Sequence, residues 1–386
     1  MNKQIKRAVI AAAVGGAAAA AAAAAGGIAF TNREMKKEFP RGKYPESKFR
    51  YGKTYENSFK DSHPRENVQF KSGENTLQGY IYGMENESPK GLIVFAHGIS
   101  VGHESYIAQL IDLVERGWRV FAYDATGSCT SEGESTVGLV QSALDLDCAL
   151  NYAKTDDRLN GLPVFLLGHS WGGYAVCAVQ EFDHDIKAAV SLSGYAYPIE
   201  MLYFGTENIL GKTGAKLSLP FIMNYNKTVF GENASLNAVD SLNKSQLPTL
   251  IIHGEEDRLV DFDRVSIYSK RDEITNPRAE FVKLTGKYAD HIRIFKSERS
   301  NEYTEKYYGA IRELIAEHSD LNESGDKKKD DNFMDQTGLF DTSADFIPDD
   351  IRDEFMKNWD MDLLNEVNHE LLDMIEAFFI NHADKS

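Results

Sequence analysis

Ser170 lies in the hexapeptide "GHSWGG" at residues 168–173. The hexapeptide follows the apolar run 163–167, which is typical of a buried strand, and leads into "GYAVCAVQEF", which favours a helix. This context predicts a tight strand-to-helix turn, where the glycines avoid side-chain clashes around Ser170. A serine hydroxyl becomes a nucleophile when a base removes its proton, an acid orients the base and N–H donors stabilise the oxyanion. The rest of the chain must supply those groups.

Candidates for the acid and the base follow two later apolar runs. Glu255, Glu256 and Asp257 come directly after "TLIIHG", and we take Asp257 as the acid. His291 lies in "KYADHIRIF", in a loop beyond the run that ends at Leu284, and is our candidate base. The alternative interpretation of His291 is a solvated loop histidine.

Two backbone amides are candidates for the oxyanion hole. Trp171 N–H opens the helix after the serine, where the partial positive charge of the helix dipole favours a developing anion. The loop after "AHG" (96–98) offers a second donor, which we assign to Ile99 N–H. His97 precedes the nucleophile in the chain, and we assign it a structural role.

Other chemistries have weaker support. The segment "GTENILGKTG" (205–214) departs from a phosphate-binding loop by one residue in its glycine spacing, and no strand precedes it. The chain has no H-E-x-x-H motif or other close pair of metal ligands, so we predict neither a metal nor a cofactor. Cys129, Cys148 and Cys177 are widely spaced and are interpreted as free thiols, with Cys148 and Cys177 buried in helices.

The elements that must position these residues alternate along the chain. Short apolar runs predict five buried parallel strands, with helical periodicity between them. Before them, two short segments separated by "KSGENT" predict an antiparallel hairpin. The fold class is therefore α/β, with a mostly parallel central sheet flanked by helices. The five runs are 92–98, 118–123, 163–168, 188–194 and 249–254, and the hairpin segments are 68–70 and 77–82.

Two segments interrupt this alternation. Residues 195–246 are too long for a connecting loop and are rich in apolar side chains, which predicts a helical lid over the crevice at the carboxyl ends of the strands; the alternative is helices that only pack on the core. Residues 318–346 are polar and predict a surface excursion. A long closing helix is predicted after Pro348, with an apolar stripe of Leu363, Leu364, Val367, Leu371, Leu372, Ile375, Phe378 and Phe379.

The N-terminal region predicts export. Residues 8–30 are uncharged and follow basic residues, so residues 1–30 are interpreted as a signal peptide or a signal anchor, with a soluble alanine-rich tract as the alternative. We therefore expect an extracytoplasmic protein, held at a membrane by residues 8–30 or secreted. Residues 31–66 predict a polar stalk or an N-terminal wrap, ahead of a domain covering 67–386. The net charge of −17 argues against nucleic acid as a partner.

These motifs together resemble those of the α/β-hydrolase superfamily. The resemblance covers about residues 67–300 and the closing helix, in the chain order Ser, Asp, His. The segment "YDATGSCTSEGES" (123–135) is similar to a loop of monoacylglycerol-lipase-like and serine-aminopeptidase-like (S33-type) members, although Cys129 departs from that pattern. The resemblance implies a lid between the sixth and seventh strands and an acyl-enzyme mechanism without a cofactor. We expect a serine hydrolase that cleaves a small-molecule carboxylic ester. The alternatives are a peptidase, an acyltransferase or a binding protein without catalysis.

Overall fold

The computed structural model describes residues 39–44, 52–318 and 346–383. The predicted signal segment 8–30 and most of the predicted excursion at 318–346 lie outside the described residues. Within the described ranges, no helix combines the length and the apolar character needed to cross a bilayer.

An eight-stranded sheet forms the centre of the molecule. Its order is β1-β2-β4-β3-β5-β6-β7-β8. Every neighbouring pair from β4 to β8 is parallel, whereas the pairs β1–β2 and β2–β4 are antiparallel. The strands are β1 (Arg65–Ser72), β2 (Asn75–Tyr82), β3 (Leu92–Ala96), β4 (Arg119–Tyr123), β5 (Val164–His169), β6 (Ile186–Leu192), β7 (Thr249–Gly254) and β8 (Ala279–Leu284).

The sequence patterns account for this sheet. All side chains of β3, β4 and β7 are buried, as expected for parallel strands covered by helices on both faces. The predicted hairpin is confirmed, with Ser72 paired to Asn75 across a two-residue turn in which Gly73 has a φ of 55°. The five predicted parallel strands are confirmed as β3 to β7.

Helices cover both faces of the sheet. On one face, α2, α3, α4 and α5 share a core with the strands, and on the other face α1 and α9 do so. A smaller apolar cluster joins α6, α7 and α8. The helices are α1 (Ile107–Glu115), α2 (Gln141–Ala153), α3 (Trp171–Ala178), α4 (Pro198–Phe230), α5 (Ala238–Ser245), α6 (Glu298–Glu317), α7 (Asp349–Met356), α8 (Met361–Leu364) and α9 (His369–Ala383).

The segment between β6 and β7 is helical, as predicted. It consists mainly of α4, which is broken at Gly211 (φ 70°, ψ 171°), and of α5. Both parts contribute to the core through buried side chains such as Phe204, Phe230 and Leu242. The role of this insertion as a lid stays a prediction.

The prediction of one long closing helix is wrong. Residues after Pro348 form three helices, and the predicted stripe is divided between α8 and α9. The cause is capping: the Asp360 carboxylate accepts hydrogen bonds from the amides that open α8, and the Asn368 side chain accepts one from Leu371 N at 3.1 Å at the start of α9. The long, apolar part of the stripe lies on α9, where it packs against the sheet.

Residues 39–44 lie against the loop that follows β4. Phe39 is buried in the core, and Gly42 N donates to Gly127 O at 2.8 Å. The Tyr44 hydroxyl contacts Asp124, and the Arg41 guanidinium donates to backbone carbonyls of the same loop. This part of the N-terminal region therefore packs against the domain.

The three cysteines are free, and Cys148 and Cys177 lie in helices α2 and α3 as predicted, Cys177 buried and Cys148 half-buried.

Candidate active site

Ser170 lies on the turn between β5 and α3. Its backbone has φ 56° and ψ −111°, a conformation that a non-glycine residue adopts only under strain. The turn is held by Ser170 N, which donates to Leu192 O at 2.8 Å, and by Tyr174 N, which donates to Ser170 O at 3.0 Å. The serine side chain is consequently presented at the carboxyl end of the central strand.

The glycines around Ser170 allow the backbone segments to approach closely. A Cβ at Gly172 would lie 1.9 Å from Ala96 O, and one at Gly168 would lie 2.2 Å from Gly172 O. Neither position tolerates a side chain, because α3 must start directly against the ends of β3 and β5. The sequence G-x-S-x-G thus has a steric cause here.

Asp257 and His291 form a buried pair at the same edge of the sheet. Asp257 lies in the loop after β7, and His291 lies in the loop after β8. The His291 Nδ1 atom is 2.6 Å from Asp257 Oδ2. The two loops are in contact, because Glu256 N donates to Ala289 O at 2.8 Å.

The Asp257 carboxylate is held by three hydrogen-bond donors and contacts a second imidazole. Its Oδ1 atom accepts from Leu259 N and Val260 N, both at 2.9 Å, and its Oδ2 atom faces His291 and His253 Nε2, the latter at 3.0 Å. Burial alone raises the pKa of this carboxyl, but the imidazoles of His291 and His253 outweigh burial and bring the pKa well below its usual range. Asp257 is therefore ionised and fixed in orientation.

His291 is brought next to the serine turn through His169. The His169 Nε2 atom lies 2.9 Å from His291 O, and the two imidazole rings are 4.6 Å apart between centroids. Since His169 immediately precedes Ser170, this contact places the loop of the candidate base beside the candidate nucleophile. The Asp257–His291 pair and the turn that carries Ser170 thus lie at the same edge of the sheet.

The candidate oxyanion donors lie on two sides of Ser170. Trp171 opens α3, and Ile99 follows β3 in the loop that contacts the serine turn, where a Cβ on Gly98 would be 3.6 Å from Ser170 Cβ. Within the described part of the chain, neither the Ile99 N–H nor the Trp171 N–H donates to another residue. Both amides are free to receive an anionic oxygen.

His97 has the structural role that the sequence suggested. Its Nε2 atom accepts from Ala125 N at 2.9 Å, so the proton is on Nδ1, which donates to Gly98 O at 2.7 Å. His97 thereby links the loop of Ile99 to the end of β4.

Sequence reasoning missed a hydrogen-bond chain behind the site. Gly98 N donates to the Tyr106 hydroxyl at 3.1 Å, the hydroxyl donates to His169 Nδ1 at 2.9 Å, and His169 Nε2 donates to His291 O. Burial and the neighbouring His291 hold the pKa of His169 well below its usual range, which keeps it in the neutral form that this chain requires. In the sequence, His169 was the variable residue of the G-x-S-x-G motif and Tyr106 one apolar position of a helix, so neither carried a signal.

His253 was also missed. It is the penultimate residue of β7, and its Nε2 atom is within 3.0 Å of both Val260 O and Asp257 Oδ2. The motif "HGEED" could have indicated His253, because this histidine opens the motif four positions before the candidate acid Asp257.

A largely apolar groove of about 340 Å³ lies beside α4. It is formed by α4 and the loop after Asp257, and Glu200 and Arg264 are its charged residues. The residues that line the groove are Ile199, Glu200, Tyr203, Phe204, Leu219, Arg264 and Val265.

No group of three or more potential metal ligands occurs among the described residues.

The sheet order, the strained serine between β5 and α3 and the buried Asp–His pair define a class of fold: the chain has the α/β-hydrolase fold. Within that class, residues 87–222 match the family model described as serine aminopeptidase, S33. The fold class expected from the sequence is confirmed.

Sequence relatives cover parts of the chain. The quorum-quenching protein AidA of Acinetobacter baumannii is 26% identical over 186 residues, which is 45% of this chain and 61% of AidA. A putative non-heme haloperoxidase of Mycobacterium phage D29 is 32% identical over 119 residues, which is 31% of this chain and 41% of the phage protein. The chain thus spans less than two thirds of each relative. Among solved structures, an esterase of Pyrococcus furiosus superposes with a TM-score of 0.49 at 17% identity, covering 72% of this chain and 98% of the esterase.

Proposed function

We propose that this protein is a serine hydrolase that cleaves carboxylic esters through an acyl-enzyme intermediate. The observation that carries the proposal is the buried Asp257–His291 pair, with 2.6 Å between its closest atoms, at the edge of the sheet where Ser170 occupies its strained turn. An ionised carboxylate on Nδ1 leaves Nε2 of the imidazole as the basic atom.

The proposed reaction follows from these roles. His291 takes the proton of the Ser170 hydroxyl as its oxygen attacks the ester carbonyl carbon, and the carbonyl oxygen becomes an anion between Ile99 N–H and Trp171 N–H. Collapse of the tetrahedral intermediate breaks the bond to the alcohol, which leaves with the proton from His291. Water then attacks the acyl-serine by the same route and releases the acid. Asp257 stabilises the imidazolium in both halves.

The proposal of an apolar substrate rests on the groove beside α4, which belongs mainly to the insertion that the sequence predicts as a lid. The groove beside α4 is lined mainly by apolar side chains, and Tyr203, Phe204 and Leu219 would contact an acyl chain or an aromatic ring. A charged peptide would gain less from these walls. This argument supports an ester over the peptidase alternative, and the acyltransferase alternative stays open.

The experiment compares wild-type protein with Ser170→Ala. We expect the wild type to be labelled by a fluorophosphonate and to hydrolyse p-nitrophenyl esters, with a preference that depends on acyl-chain length. Ser170→Ala should lose both properties while keeping its circular dichroism spectrum. A folded wild type that neither labels nor hydrolyses any ester would contradict the proposal and favour a binding protein on the same fold.

Two further assays separate the alternatives among catalytic proteins. Release of an aminoacyl or peptidyl amide faster than any ester would indicate a peptidase. Transfer of the acyl group to an added alcohol at the expense of hydrolysis would indicate an acyltransferase. Both activities would use Ser170, so both must disappear in Ser170→Ala.

We also propose that residues 8–30 direct the chain to an extracytoplasmic location, either as an anchor or as a cleaved signal. The support is their uncharged composition after Lys3, Lys6 and Arg7. Cell fractionation with N-terminal sequencing of the mature chain tests this. A full-length protein found only in the cytosolic fraction would contradict it.

A further inference from the structure

Helix α4 exposes an unusual number of apolar side chains. Of the seven large apolar side chains that are exposed among the described residues, five lie on this helix, between 38% and 70% exposed. The other two, Met374 and Ile380, lie on α9. Isolated exposed apolar residues are ordinary, but a group on one element marks an interaction surface. The five are Ile209, Leu210, Leu217, Met223 and Val229.

The break in α4 turns two of these residues outward. Gly211 has a left-handed φ of 70°, and Ile209 and Leu210 directly precede it. A Cβ at Gly211 would have no atom within 4 Å, and all residues from 208 to 213 are exposed. The corner at Gly211 therefore projects away from the body of the domain with two aliphatic side chains at its tip.

The charge of the same stretch differs from that of the rest of the protein. Residues 208–229 contain Lys212, Lys216 and Lys227 and no acidic residue, in a chain whose net charge is −17. All three lysines are exposed, and none of them forms an ion pair with a described residue. The nearest preceding acid, Glu207, is paired with Arg264 at 3.0 Å. The stretch is thus a cationic and apolar patch on an acidic protein.

We propose that this patch, residues 208–229, docks on the surface of an anionic lipid membrane. Interfacial helices combine exposed apolar residues with lysines, because the former enter the boundary of the acyl chains and the latter stay at the headgroups. Anionic headgroups attract Lys212, Lys216 and Lys227, while the negative body of the protein is repelled, so the patch also sets the orientation. A second copy fits less well, because two such patches face to face would bring six lysines together.

The test places a tryptophan on the patch of the full-length chain. Leu210→Trp is compared with Ile380→Trp, a matched control that is similarly exposed (54% against 49%) but lies on α9, which packs on the opposite face of the sheet. The probes are vesicles of phosphatidylglycerol and vesicles of phosphatidylcholine, both with brominated acyl chains that quench tryptophan on contact. The control also reports any membrane attachment through residues 8–30, which by itself would not bring position 210 into the bilayer.

We expect the fluorescence of Leu210→Trp to be quenched by phosphatidylglycerol vesicles, less by phosphatidylcholine, and less again at high salt. Ile380→Trp should be unaffected by either. Replacing Lys212, Lys216 and Lys227 together with glutamine should remove the preference for phosphatidylglycerol.

Two results would overturn the proposal. One is equal quenching, or none, at the two positions. The other is emission from Leu210→Trp that is already blue-shifted without lipid and unchanged by vesicles, which would mean that a second copy or another segment of the chain covers the patch. Because no step of the assay requires turnover, its outcome is independent of the proposed hydrolase activity.

Discussion

One carboxylate oxygen of Asp257 faces two imidazoles, so we expect the negative charge of Asp257 to contribute more to catalysis than its shape. In Asp257→Asn the amide keeps the shape but removes the negative charge that stabilises an imidazolium at His291. We expect kcat/KM for a p-nitrophenyl ester to fall by about 10³ to 10⁴. Glu256→Gln is the control, since Glu256 is the exposed neighbour that the sequence also offered as an acid, and it should change kcat/KM little. The reverse result would assign the acid to Glu256.

A variant at Tyr106 tests whether the hydrogen-bond chain from Gly98 to His291 positions catalytic groups. Tyr106→Phe keeps the ring packing against Phe95 and Phe295 but leaves Gly98 N and His169 Nδ1 without a partner. We expect a loss of about 1 to 3 kcal/mol in the free energy of unfolding and a lower kcat with little change in KM.

The control for that variant is Tyr174→Phe. It also removes one buried hydroxyl, which donates to Leu236 O at 2.9 Å. Comparable destabilisation is expected, with kcat retained. If both variants lower kcat equally, the chain through Tyr106 has only a structural role.

At the scale of elements, the turn between β5 and α3 depends on the absence of a side chain at Gly172. Gly172→Ala would place a methyl group 1.9 Å from Ala96 O, so β3 or α3 must move. We expect destabilisation of at least about 3 kcal/mol and loss of fluorophosphonate labelling. Gly205→Ala is the control: this glycine lies in α4 with nothing near its Cβ position, and the substitution should stabilise by up to about 1 kcal/mol. Thermal unfolding measures both, and a neutral Gly172→Ala would contradict the steric account.

Many of the secondary-structure elements could be predicted from the sequence. Strands β3 to β7 were predictable because parallel strands buried on both faces need continuous apolar runs, and the positions of Ser170 and Asp257 because each follows such a strand. His291 follows β8, an edge strand whose side chains are half-buried or exposed. The break between α8 and α9 was missed, since Asn368 as a cap competes with an apolar periodicity that continues across it. His169 was missed for another reason: its role depends on a contact with His291, 122 positions away in the chain, and no local pattern records that contact. His253 was missed although it stands only four positions before Asp257.

At the scale of the whole molecule, buried histidines couple stability to pH. Burial lowers the pKa of His97, and burial together with His291 holds that of His169 well below its usual range. Both remain neutral in the folded protein at pH values where the unfolded chain, with histidine pKa values of about 6.5, takes up protons. The unfolded state therefore binds more protons below about pH 6.5, and the free energy of unfolding falls as the pH is lowered.

This linkage predicts a specific difference between wild type and His169→Gln. Each unit of pH below about 6.5 costs up to about 1.4 kcal/mol for every histidine that the fold keeps neutral. Urea unfolding of the wild type, followed by tryptophan fluorescence, should show lower stability at pH 5 than at pH 7.5. Glutamine does not titrate, and its amide can still donate toward His291 O, so His169→Gln should be less stable at pH 7.5 but lose less between the two pH values. An unchanged loss in the variant would mean that His169 takes up its proton in the folded state, and the neutral hydrogen-bond chain from Gly98 to His291 would then be wrong.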